Sequence, residues 1–117
     1  MTEFGNYING EFVYSENGYH NINPATGETI GTFPLSTKSQ VLDAVNSAKQ
    51  AFPSWKAKSR LERAEILNNV AALVEQNRQW MAEVISLETG KNYNESIAEV
   101  NEALHMAQFA FGSGRTP

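Results

Sequence analysis

The chain has 117 residues, thirteen acidic against nine basic for a formal charge of -4, 41% hydrophobic residues and no cysteine. That length allows one domain with one modest core, and the acidic balance with scattered Lys and Arg argues against a nucleic-acid binder, whose affinity needs clustered cations on phosphate. Without cysteine there are no disulfides, thiolate metal sites or thiol nucleophiles, so covalent chemistry would need another group.

The opening MTEFGNYING is polar and broken by glycine where a signal peptide needs a basic start and an apolar run. No later segment approaches the roughly eighteen continuous apolar residues of a membrane helix. A cytoplasmic protein with no membrane partner is the expectation. From Phe4 to Phe33 short apolar runs alternate with turn signals. Asn9-Gly10 suits a type I′ turn, which would face Tyr7-Ile8 against Phe12-Val13 as a hairpin. Asn17-Gly18 offers a second turn and Pro24-Ala25-Thr26-Gly27 a third, leaving Tyr19 to Asn23 and Glu28 to Phe33 as strands with Ile22 and Ile30 as apolar anchors. Strands this short cannot bury a face by themselves.

From residue 37 onward the pattern turns helical. A first helix over 37–52 begins with the capping box Thr37 and Gln40, carries Val41, Val45, Ala48 and Phe52 on one stripe, and is expected to end before Pro53. A second over 59–77 begins with Ser59 and Glu62 and presents Leu61, Ile66, Leu67, Val70, Leu73 and Val74 as a broad apolar face. A third over 79–89 holds Trp80, Val84 and Leu87 and stops at Gly90, and a fourth over 94–111 carries Ile97, Val100, Leu104, Ala107 and Phe111. The fold class is therefore α+β, short N-terminal strands followed by about four helices in a single segment of 1–117. Each large aliphatic residue of the second helix is worth about 1.5 to 3 kcal/mol when fully buried. The narrow stripes and short strands of the rest cannot cover them all, so uncovered apolar surface is expected.

Few residues point to chemistry. Glu102 and His105 form E-x-x-H, half of a carboxylate-bridged di-iron site, but the second such motif is missing and the only other histidine is His20 in the strand region. The pair reads as a solvated polar face, with a metal site shared across a homodimer as the alternative. Asn94-Glu95-Ser96 matches a glycosylation sequon and reads as a helix N-cap, and Gly112-Ser113-Gly114 reads as a cap and linker because a dinucleotide loop must join a strand to a helix. Lys56, Lys58, Arg60 and Arg63 read as a solvated helix start, with Arg63 paired locally. The residues by themselves present no active site.

Taken together, YINGEFV at 7–13, INPATGE at 22–28, AFPSW at 51–55, RAEIL and VAALVE between 63 and 75, LETGK at 87–91 and EVNEAL at 99–104 resemble, in order and spacing, the N-terminal segment of the NAD(P)-dependent aldehyde dehydrogenases. The resemblance covers nearly the whole chain and implies a partial aldehyde dehydrogenase-like fold. In that family a cysteine attacks the aldehyde, hydride passes to the nicotinamide, and a glutamate activates water. The resemblance places that machinery, and the NAD or NADP site, downstream of this segment. It implies no catalytic or cofactor-binding residue here, no cofactor for this chain alone, and inactivity without the remainder of the enzyme.

What the resemblance carries over is supporting architecture. It implies a monovalent cation site using backbone oxygens near Asn21 and Ile22 together with Glu88, a set that suits a hard cation, against the plain reading that Glu88 ends a helix. It also implies a substrate entrance lined by the fourth helix, with Glu102 and Met106 on one face. The expected partners are the missing cofactor-binding and catalytic domains, with self-association through the uncovered apolar surface. The rival readings are a stand-alone helical interaction module and a small metalloprotein built on Glu102 and His105.

Overall fold

A computed structural model describes residues 2–117, Thr2 by its backbone alone. Nine elements follow in chain order: β1 (Thr2–Glu3), β2 (Asn6–Ile8), β3 (Glu11–Val13), β4 (Gly18–Ile22), β5 (Thr29–Pro34), α1 (Lys38–Ala57), α2 (Arg60–Gln76), α3 (Arg78–Thr89) and α4 (Tyr93–Arg115). The order, strands and then four helices, is the α+β arrangement expected. The single segment is divided into two compact units, one ending at Trp55 and one from Lys56 to Pro117.

In the first unit, β2 and β3 form the expected hairpin with Tyr7 opposite Phe12, and Asn9 and Gly10 both take positive φ, 52° and 81°. A type I′ turn needs positive φ at both central residues, which Asn tolerates and Gly meets without strain. The Tyr7 and Phe12 rings lie 5.1 Å apart across the strands. A second sheet runs in the order β1-β5-β4, with β4 antiparallel and β1 parallel to β5. The two-residue β1 was not expected, because a strand that short has no periodicity to read. Phe33 stacks on Phe4 at 4.6 Å and on Tyr19 at 6.0 Å, which ties the sheet together by cross-strand aromatic contact.

Two polar devices close this unit. The buried Asn23 accepts from the Ala25 amide at 2.9 Å through its side chain and from the Gly27 amide at 2.8 Å through its carbonyl, so the Pro-Gly turn is held from within. Gln40 completes the expected capping box with Thr37, accepting from the Thr37 amide at 2.8 Å while its own amide donates to the Thr37 hydroxyl at 3.2 Å. The same side chain also accepts from Ser15 at 2.7 Å and donates to the Tyr14 carbonyl at 3.1 Å. One residue thus starts α1 and pins the loop before β4.

α1 does not end before Pro53 as expected but continues to Ala57. Proline removes one amide donor, and in the last turns of an exposed helix the carbonyl that loses its partner can turn to water. The Ser54 hydroxyl donates to the Ala51 carbonyl at 2.9 Å beside it. No α1 residue is buried, and the expected stripe Val41, Val45 and Phe52 is exposed.

The second unit is built on α4, against which both α2 and α3 pack. α2 begins with the expected capping box: the Glu62 carboxylate accepts from the Ser59 amide at 2.7 Å and the Glu62 amide donates to Ser59 Oγ at 3.2 Å. Those contacts hold the Glu62 carboxyl below its ordinary value, the bonds with Ser59 first and the charges of Lys58 and Arg63 after. Arg63 donates to the Lys58 carbonyl, the local pairing expected of it. α3 ends at Gly90 in the left-handed conformation, φ 74°, again as expected.

Two boundaries of α4 differ from expectation. Its N-cap is Asn92, whose side chain accepts from the Glu95 amide at 3.0 Å, and Asn94 lies inside the first turn. Asn at either position fits the local preference, so spacing from the first buried residue, Ser96, decides. At the other end the helix runs through Gly112-Ser113-Gly114 to Arg115, where a cap and linker were expected. A Cβ built on Gly114 would come 3.1 Å from Cβ of Ala64, so this glycine serves close approach of α2 rather than termination.

The core of the described residues is small: Ala64, Ala71, Ala82, Val100 and Leu104. The expected apolar face of α2 is only partly used. Ala64 and Ala71 are buried with Leu67 and Val74 half-buried beside them, while Leu61, Ile66 (38%), Val70 (42%) and Leu73 (57%) remain exposed. At about 100° per residue, Ile66, Val70 and Leu73 form one stripe adjoining the buried one. α2 is apolar over about half its circumference by that spacing, and α4 covers only one side of it.

Candidate functional site

The candidate residues fall on three elements. Asn21 and Ile22 end β4, where the pairing with β5 shifts register: Asn21 opposes Gly31 but Ile22 opposes Thr29, so Ile30 is an extra residue on β5. Such a bulge re-aims the residues beside it. Asn21 is half-buried and Ile22 is 45% exposed, with Ile30 half-buried, so Ile22 does not anchor this sheet as expected. Glu88 is an exposed residue in the last turn of α3 and belongs to the second unit. Among the described residues no group of three or more His, Cys, Asp or Glu is arranged to hold a metal ion, and His105 and Glu102 are both exposed on α4.

Glu102 and Met106 do come together. Four apart on α4, they share the side opposite the buried Ser96, Val100 and Leu104. Phe109, 69% exposed, extends the same row one turn beyond Met106, itself 62% exposed. In the sequence, its spacing of seven from Glu102 is the signal that places Phe109 on this face. The row continues toward the helix start through Glu99 and Glu95. Glu99 pairs with Lys91, and that hydrogen-bonded charge holds the Lys91 ammonium above its ordinary value. The only Lys or Arg of α4 is Arg115 in its last turn, with its guanidinium 5.2 Å from the Phe111 ring centre. The outcome is a solvent-facing surface that is acidic at one end and apolar at the other.

Neither of two concave features of the first unit contains a candidate residue. One is an open groove of about 350 Å³ between β2 and α1, lined by Tyr7, Ile8, Val41, Ala44 and Val45 with polar edges from Asn6, Ser36 and Gln40. The other, of about 60 Å³, lies by Phe4, Ser15, Gly18 and Phe33. A dinucleotide would need a glycine-rich turn from a strand into a helix N-terminus to offer amides to its phosphates. The strand-to-helix connection between β5 and α1 is Leu35-Ser36-Thr37, which has no glycine, and Gly112-Ser113-Gly114 lies within a helix. Among the described residues neither segment fits that cofactor.

Comparison with known proteins places this arrangement of strands and helices. The model of the aldehyde dehydrogenase family matches residues 12–117. Malonate-semialdehyde dehydrogenase of Bacillus velezensis is 42% identical over 115 residues, which are 97% of this chain and 24% of that protein. Among solved structures, methylmalonate-semialdehyde dehydrogenase from Oceanimonas doudoroffii aligns with a TM-score of 0.92 at 30% identity, covering 97% of this chain and 23% of that one. Betaine aldehyde dehydrogenase from Staphylococcus aureus, a point mutant in complex with NAD+, aligns with a TM-score of 0.86 at 30% identity, covering 94% and 23%. This chain therefore spans about a quarter of the length of the relatives it matches. Matched by the family's model over almost all of its residues, the chain belongs to the aldehyde dehydrogenase family.

Proposed function

We propose that these 117 residues are the N-terminal portion of an NAD(P)-dependent aldehyde dehydrogenase, an oxidoreductase in which an aldehyde and water become a carboxylic acid while hydride reduces NAD+ or NADP+. The observation that carries the reading is the family match over residues 12–117 of a chain that spans about a quarter of its relatives. The segment lacks cysteine and a dinucleotide cradle, so its part is architectural. It packs its bare apolar faces on the cofactor-binding and catalytic portions in a cytoplasmic, oligomeric enzyme. Within it, backbone oxygens near Asn21 and Ile22 at the bulge, with Glu88, hold a monovalent cation, and Glu102 and Met106 line the way in for the aldehyde.

The test is an assay of aldehyde-dependent NAD(P)H formation. The polypeptide that joins this segment to the remainder of the enzyme should be active, and the isolated chain inactive. Activity of the isolated chain, or none from the joined polypeptide with any aldehyde, contradicts the reading. A stand-alone helical interaction module is the second reading, favoured by the same exposed stripe of Ile66, Val70 and Leu73. It requires that the segment bind a separate protein when nothing of the enzyme is attached.

A further inference from the structure

The exposed row of α4 bears on which aldehyde the enzyme takes. Glu102 stands next to Met106 and Phe109, so an aldehyde passing this face would meet an apolar surface headed by a carboxylate. No Lys or Arg of α4 shares the row: Arg115 sits in the last turn against Phe111, and Lys91, the cation nearest the helix start, is committed to Glu99. Glu95 extends the negative end beyond Glu102, while the charge of Glu99 is offset by Lys91. A recognition surface for a dicarboxylic semialdehyde would be expected to offer a cation, because an Arg or Lys pairs with carboxylate and an acid repels it.

We infer that Glu102 makes the enzyme select against aldehydes that carry a carboxylate and favour uncharged or cationic aldehydes with an apolar body. The inference rests on the proposal that α4 lines the substrate entrance. Glu102 acts here as a determinant of specificity through charge, while Met106 and Phe109 supply contact for the chain of the aldehyde. Attraction or repulsion by one exposed charge at close range amounts to a factor on the order of ten, and salt should weaken it.

The test uses the full-length enzyme carrying this segment, with two aldehydes matched in length, succinic semialdehyde and butanal. The unaltered enzyme should favour butanal at low ionic strength, and the preference should shrink at high salt. Glu102→Arg should raise the ratio of kcat/KM for succinic semialdehyde over butanal on the order of tenfold, mainly through KM, and the near-isosteric Glu102→Gln should raise it less. An unchanged ratio in both variants overturns the inference. Met106→Trp distinguishes failure of the charge effect from failure of the entrance itself. If it raises KM for bulky aldehydes while the Glu102 variants leave the charge ratio unchanged, the entrance reading stands and the inference fails. If neither position moves any KM, the entrance reading has failed with it.

Discussion

Ser86 on α3 and Ser96 on α4 meet with their hydroxyl oxygens 2.8 Å apart, and Ser96 is fully buried. Ser96 also donates to the Asn92 carbonyl at 3.2 Å, which commits its single proton and makes Ser86 the donor between the two helices. A polar pair therefore holds the α3–α4 contact beside Val100 in a core that contains three alanines.

Removing one partner leaves the other hydroxyl short of a bond in a partly buried place. Ser96→Ala should destabilise the chain by about 1–2 kcal/mol, and Ser96→Val by more, since there is no free space for the extra methyl groups. Urea unfolding of both variants checks the order. A Ser96→Val variant as stable as the parent would contradict the packing described.

The two glycines near the end of α4 should respond in opposite ways to the same substitution. Around Gly112 an added Cβ meets nothing within 4 Å, so Gly112→Ala should gain the helix preference of alanine, about 0.5–1 kcal/mol. Gly114→Ala should lose that gain to the 3.1 Å approach of Ala64 and be no more stable than the parent. Thermal unfolding of the pair tests whether close approach of α2 is the reason for the second glycine.

Acid should loosen the start of α2. Contacts with Ser59 hold the Glu62 carboxyl below its ordinary value, so its contribution is complete above the ordinary carboxylate range and disappears as pH falls through the lowered value. The affected window lies below about pH 4.3. Amide chemical shifts of Ser59 and Glu62 should move together in that window. In Glu62→Gln, which keeps the capping box without a titrating group, the movement should vanish.

The elements set by local chemistry were legible in the sequence. Thr37 with Gln40, Ser59 with Glu62, Asn9-Gly10 and Gly90 each fix a start, a turn or a stop through contacts within a few residues, and each is found where its pattern puts it. Features decided by distant partners were not. Gly114 reads as a stop until Ala64 is seen beside it, and although uncovered apolar surface on α2 was expected, that it falls on Leu61, Ile66, Val70 and Leu73 shows only once α4 is seen to rest on Ala64 and Ala71. Of the candidate site, the shared face of Glu102 and Met106 follows from spacing four on a helix. The bulge at Asn21 and Ile22 depends on strand register, which is weakly specified along β4 because almost all of that strand is exposed.

The central claim is that this segment is built to lie against a larger body, and sedimentation of the isolated chain tests it most directly. The exposed stripe Ile66, Val70 and Leu73, with Val41, Val45 and Phe52 of α1, predicts self-association that grows with concentration and binding of a hydrophobic dye. The triple substitution of Ile66, Val70 and Leu73 by Gln should reduce both. A parent chain that sediments as a monomer at all concentrations and binds no dye would contradict the account.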